Sequence, residues 1–190
     1  MVSIGDLEGG DQYSVVNDMT ADGEVIVGRS GSTLIGSEAF RWEDGILTGL
    51  GILPGEDYSD AVAVSEDGST VIGSSESQDG GYAFRWKDGV MEPLVYIPGW
   101  SFGCGAYALS EDGSVIVGRR LIKDYGFEAF RWENGVFTDL KLPPGNGSWA
   151  TDVSLDGTVV SGYFLMDGVR PVFWSESTDW QPVALDNLVD

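Results

Sequence analysis

The sequence carries 31 carboxylates against 10 lysines and arginines, has no histidine, and contains a single cysteine, Cys104. Paired carboxylates about 5 to 10 Å apart can hydrolyse glycosidic bonds, but at this density close pairs arise without selection and sequence proximity nominates none. Asp22, Asp67, Asp112 and Asp156 recur in the pattern [ST]-x-D-G. A calcium loop needs several spaced carboxylates, so the repeated aspartate reads as turn chemistry, its side chain and the preceding hydroxyl bonding backbone amides. Cys104 cannot form an internal disulfide, and it aligns with Ser14, Ser59 and Ser148 as a small packed residue. Zinc, P-loop and dinucleotide patterns are absent. No catalytic, cofactor-binding or metal-ligating residue is nominated, and no cofactor is expected.

Aromatic rings beside the few cations are a different resource, because they can stack on sugar rings or anchor a protein partner. Tyr13, Tyr58, Trp100, Phe102, Tyr125 and Trp149, with Arg119 and Arg120, are the expected ligand-binding residues. Tyr163 falls in the same regions of the chain. A net charge of −21 repels phosphate backbones and anionic lipid surfaces, so nucleic acid is not an expected partner. No run approaches a membrane span, and no membrane insertion is expected.

These residues hang on a repeat. Residues 20–28 (TADGEVIVG), 65–73 (SEDGSTVIG), 110–118 (SEDGSVIVG) and 154–162 (SLDGTVVSG) are versions of one motif, their closing glycines stepping by 45, 45 and 44 residues. Trp42, Trp86, Trp132 and Trp174 then close the runs EAFRW, YAFRW, EAFRW and PVFW. Each repeat reads as four short strands: a small-residue strand A, strand V after the first Asp-Gly, strand W with the aromatic pair, and strand L. Asp-Gly and Asn-Gly joints between A and V and between W and L favour the left-handed backbone of primed hairpin turns. The chain is therefore expected to be all-β, a β-propeller of four four-stranded antiparallel blades, with half of an eight-bladed ring or a β-solenoid as alternatives. The repeats span approximately residues 8–53, 54–97, 98–142 and 143–190, with an extra N-terminal strand at 1–7. Phe40/Trp42, Phe84/Trp86 and Phe130/Trp132 should fill the layer between blades, while Arg41, Arg85 and Arg131 point the other way towards a carboxylate of the adjacent blade. A meander also separates its ends: the Asp-Gly turns gather at one, and the variable L-to-A and V-to-W loops, with the candidate aromatics, at the other.

The pattern [ST]-x-D-G-x-x-V-x-G, then A-F-R-W, then x-D-L/G-x-L-P-G resembles the HAF-type extracellular repeat family over nearly the whole chain. The alanine of that family's H-A-F motif is matched by Ala39, Ala83 and Ala129, but its histidine is Glu38, Tyr82 and Glu128 here. The last repeat departs further, with PVFW and SESTD. The resemblance implies an exported, propeller-like module and brings no catalytic residues. The expected function is a non-enzymatic extracellular or cell-surface binding propeller, its variable-loop end engaging a glycan or protein. A carboxylate-dependent carbohydrate hydrolase or lyase, or a structural spacer, are the alternatives. The first residues hold no basic or apolar leader, so any export signal is expected to lie outside this chain. Strand L occurs once more than four blades need, which predicts a closed monomer with one terminal strand added outside, or else a homodimer.

Overall fold

A computed structural model of the chain describes residues 4–33, 36–98, 105–122, 126–140, 147–165 and 168–185. It divides into two compact units, Met1–Ala106 and Tyr107–Asp190. The first holds two antiparallel sheets of sequential order: β1 (Gly9–Met19), β2 (Val25–Ser32), β3 (Gly36–Glu43) and β4 (Ile46–Gly51), then β5 (Tyr58–Val64), β6 (Thr70–Ser77), β7 (Gly80–Lys87) and β8 (Val90–Pro98). Two more follow: β9 (Ala106–Leu109), β10 (Val115–Ile122), β11 (Gly126–Glu133) and β12 (Val136–Asp139), then β13 (Ser148–Val153), β14 (Val159–Leu165), β15 (Val169–Ser175) and β16 (Val183–Ala184). Each sheet is one A-V-W-L meander. Residues 4–7, expected within an extra strand, lie outside any strand, though the Leu7 amide donates to Ser30 Oγ at 2.9 Å.

The two kinds of Asp-Gly joint differ. Asp44-Gly45, Asp88-Gly89 and Asn134-Gly135 have positive φ at both residues, the primed two-residue turn that matches strand twist. In the A-to-V joints only the glycine is left-handed: φ is 73° at Gly23, 68° at Gly68, 67° at Gly113 and 72° at Gly157. The expectation of primed turns there is corrected by side-chain chemistry. Ser65 Oγ donates to Asp67 Oδ1 at 2.6 Å and accepts from the Thr70 amide at 2.9 Å, while the Ser69 amide donates to Asp67 Oδ1 at 2.9 Å. The same three bonds recur at Thr20/Asp22, Ser110/Asp112 and Ser154/Asp156. They hold a longer connection that ties the strand ends without a tight hairpin.

These bonds hold all four carboxyls below the ordinary aspartate range. The Thr20 hydroxyl leads at Asp22, the Ser114 amide at Asp112 and the Ser154 hydroxyl at Asp156. Partial burial opposes the shift at Asp67, but the bonds from Ser65 and Ser69 together prevail. A depressed folded pKa contributes stability that is complete above the unfolded aspartate range and is lost as pH falls through the folded value. Thermal melts are therefore expected to fall off below about pH 4. Asp67→Ala should cost about 1 kcal/mol at neutral pH and soften the acid decline; an acid decline as steep as in the parent chain would contradict this role.

Strand A is bulged opposite the repeat-closing glycine, and this explains the glycine. Register slips between Val16 and Asp18, Ala61 and Ala63, and Ala150 and Asp152. The carbonyl just before each bulge is thereby pressed onto strand V. A Cβ at Gly28, Gly73 or Gly162 would stand 1.9, 2.0 or 1.9 Å from the oxygen of Val15, Asp60 or Trp149.

The core of each unit lies between its two sheets. In the first, Val25, Val27, Ala39 and Leu50 meet Ala61, Val64, Val71 and Phe84; in the second, Val115, Val117 and Ala129 meet Ala150, Val153, Val160 and Trp174. The aromatic pair of strand W is unequal. Phe40, Phe84 and Phe130 are wholly buried, whereas Trp42 and Trp86 are half-buried and only Trp132 and Trp174 are buried. Polar ties join the sheets as well: Ser59 Oγ accepts from the Ala39 amide at 2.9 Å, and Ser148 Oγ from the Ala129 amide at 2.8 Å. The strand W arginines depart from expectation, because their carboxylate is in their own sheet: Glu43 for Arg41, Glu92 for Arg85 and Glu133 for Arg131. The neighbouring sheet supplies a turn carbonyl instead, Gly68 to Arg41 Nε at 2.9 Å and Gly157 to Arg131 at 3.3 Å.

Candidate functional site

The V-to-W connections are shorter than the sequence suggested, since β2, β6 and β10 stay paired for four residues beyond the repeat-closing glycine. Arg119, Arg120 and Tyr163 consequently sit on paired strands, as does Trp149, while Tyr13 lies on β1 at a register irregularity between Gly9 and Ser14. Trp100, Phe102 and Tyr125 lie outside the described residues.

In the second unit, five half-buried side chains converge across its two sheets. Arg119, on β10, places its guanidinium carbon 4.1 Å from the Phe127 ring centre and 5.8 Å from those of Tyr107 and Trp149. Trp149 lies 5.9 Å from Phe127 and stacks on Tyr163 at 5.0 Å with an interplanar angle of 14°. Pairing explains the stack, because Trp149 and Tyr163 are direct cross-strand partners of β13 and β14. Trp149 Nε1 is buried and meets no acceptor among the described residues. Rings around a guanidinium form a cation–π box, and their remaining exposed area suits stacking on an apolar ligand face.

Arg120 belongs elsewhere. Successive strand residues face opposite sides, and its guanidinium pairs with Glu128 at 3.3 Å and Asp139 at 2.6 Å within its own sheet. Burial pushes the Glu128 carboxyl upward, and the bond from Arg120 only partly offsets this. Glu38 and Glu128, where the resembled family has histidine, are thus structural; Glu38 is 7% exposed and accepts from the Gly51 amide at 2.8 Å.

In the first unit, Tyr13 is 49% exposed and accepts from Arg29 Nη2 at 3.1 Å. Arg29 pairs with Asp60 at 2.5 Å, and Asn17 Nδ2 donates to Asp60 Oδ1 at 2.7 Å. Tyr58 is half-buried, and its hydroxyl donates to the Glu76 carboxylate, which is 2% exposed. Beside it, burial pushes the Glu56 carboxyl upward, with the charges of Asp57, Glu76 and Asp79 adding to the shift against a bond from Ser77.

The structure therefore brings together two of the expected residues, Arg119 and Trp149, with Tyr163, and adds Tyr107 and Phe127. The signal for the additions is present in the repeats. Offset by one whole two-repeat unit, Tyr107, Phe127, Trp149 and Tyr163 correspond to Asn17, Ser37, Asp60 and Ser74, so four polar positions of the first unit become aromatic in the second.

No family model and no curated protein sequence matches the chain. Its fold is similar to solved structures of low identity. TolB from Acinetobacter baumannii superposes with a TM-score of 0.63 at 13% identity, covering 90% of this chain and 42% of its own. A puromycin-hydrolyzing peptidase from Mycobacterium tuberculosis gives 0.57 at 18% identity, covering 94% and 30%. Prolyl oligopeptidase B from Galerina marginata gives 0.58 at 8% identity, covering 91% and 27%. The chain spans less than half the length of each of these three proteins. TolB and prolyl oligopeptidase contain β-propeller domains, and the four four-stranded antiparallel meanders of this chain are blades of a β-propeller fold.

Proposed function

We propose that the chain is a non-enzymatic binding propeller of the cell surface or extracellular space, which engages a glycan or protein through the aromatic box around Arg119. The observation that carries this reading is the convergence of Tyr107, Phe127 and Trp149 on one guanidinium, with Tyr163 stacked on Trp149, at positions whose counterparts one unit earlier, Asn17, Ser37, Asp60 and Ser74, are polar. The HAF-type pattern supports an exported repeat module. Among the described residues no helix is long and apolar enough to cross a membrane.

A hydrolase reading has one local support, the Glu56 carboxyl that burial raises, since a carboxyl kept protonated can serve as a general acid. Screening the intact chain on a glycan array, together with a turnover assay on the glycans it retains, separates the two. The binding reading expects retention without cleavage. Cleavage that disappears in Glu56→Gln would replace it with the hydrolase, and a chain that retains neither glycans nor proteins would remove both.

A further inference from the structure

We infer that the chain associates head to tail with a second copy of itself, the exposed apolar face of the first sheet stacking on the exposed face of the fourth. Inside each unit the later sheet lays a fixed set of positions on the earlier one: Ala61, Val64 and Val71 in the first unit, Ala150, Val153 and Val160 in the second, none more than 8% exposed. The repeat puts Val16, Met19 and Ile26 at those positions of the first sheet. Val16 is 50% and Met19 59% exposed, and Ile26 is half-buried. The receiving positions behave in the same way. Val25, Val27 and Ala39 of the first sheet and Val115, Val117 and Ala129 of the third are buried, whereas their counterparts in the fourth, Val159, Ser161 and Pro171, are exposed.

Repeat arrays that end in water carry polar outer faces, and this chain does the reverse: Ala21 and Leu155 stand in its two terminal repeats where the inner ones have Glu66 and Glu111. The finer contacts of the stacked pairs also have their halves left over. A Cβ on Gly68 or Gly157 would stand 2.6 Å from Cγ2 of Val25 or Val115, so each turn glycine rests on a valine of the preceding sheet. Gly23, at the same position of the first repeat, has nothing within 4 Å, and Val159 is the valine that a second copy brings onto it. Asp18 Oδ2 accepts from the Val64 amide at 2.9 Å across the first pair of sheets. Asp152 holds the position of Asp18 in the last repeat and is exposed, aligned by the same stacking with the Met19 amide of a second copy. The occupant of each face is thus the other face, and an interface between two unlike faces builds rings where its rotation closes and filaments where it does not.

Light scattering of the intact chain over a concentration series tests this. A net charge of −21 opposes association at low salt, so the mass is expected to rise with salt and with concentration from 20.4 kDa to at least twice that value. Met19→Glu and Val159→Glu each place a charge at an exposed position, and each alone should hold the chain at the monomer mass. Mixed at high concentration, the two variants should form a one-to-one pair, because the first keeps its fourth-sheet face and the second its first-sheet face; that rescue also shows both variants to be folded. A parent chain of 20.4 kDa throughout would overturn self-association and leave the two faces to a different protein. Association that survives either substitution alone, or a mixture that stays monomeric, would overturn the pairing of unlike faces.

Discussion

Trp174→Ala is expected to lower the stability of the second unit by about 3–5 kcal/mol, a fall of roughly 6–20 °C in melting temperature for a chain of this size. Trp174 is fully buried in a cluster with Ala150, Val153, Val160 and Val172 of its own sheet, Val115 and Val117 of the sheet before it, and Leu140 just past β12. Removing the indole opens a cavity lined by β-branched side chains on paired strands, which have little freedom to collapse into it. Trp42→Ala, at the equivalent position of the first repeat, should cost less than half as much because Trp42 is only half-buried. Equal losses for the two substitutions, measured by thermal or urea unfolding, would contradict this assignment of core residues.

Gly73→Ala should be nearly as damaging, on the order of 3 kcal/mol, although it adds a single methyl group and Gly73 has an ordinary negative φ. The added Cβ would lie 2.0 Å from the Asp60 carbonyl oxygen and 2.8 Å from the tip of the Phe84 ring. The first obstacle is backbone in a bulged, paired strand, so relief requires moving β5 away from β6 and breaking the ladder. Gly89→Ala is the contrast. Its Cβ meets nothing within 4 Å, and the cost is confined to an alanine at φ 83° in an exposed turn. A Gly73→Ala protein as stable as Gly89→Ala would show that the bulge does not press on the glycine.

The repeat period, the strand types and the meander were legible in the sequence because each depends on local chemistry repeated four times. What escaped it depends on geometry between strands. Two-residue spacing places Phe84 and Trp86 on one face, but only the sheet twist and the sheet's edge decide that the phenylalanine is wholly buried and the tryptophan half-exposed. The sequence likewise could not tell that a strand bulge, and not a turn, requires the repeat-closing glycine. Arg41 found its carboxylate two residues along its own strand, at Glu43, and a turn carbonyl in the neighbouring sheet.

The site was legible only in part. Arg119 and Trp149 were recognisable as a cation and an aromatic near the variable end, whereas Arg120 and Tyr58 turned out to be committed to buried or half-buried glutamates by the face they occupy. Tyr107 and Phe127 looked like ordinary strand residues. Comparison of the second two-repeat unit with the first, Tyr107 with Asn17 and Phe127 with Ser37, marks them as departures.

The central claim is that ligand binding resides in the box around Arg119, and the most direct measurement is a glycan and peptide array probed side by side with the parent chain and Trp149→Ala. Trp149 is half-buried and forms one wall of the box, so its loss removes stacking on the ligand together with the contacts to Phe127 and Tyr163. The parent chain is expected to retain a defined ligand class, and Trp149→Ala to lose it by about tenfold or more, while circular dichroism shows the same strand content. Ligands retained equally by both proteins would place the binding surface elsewhere and contradict the account.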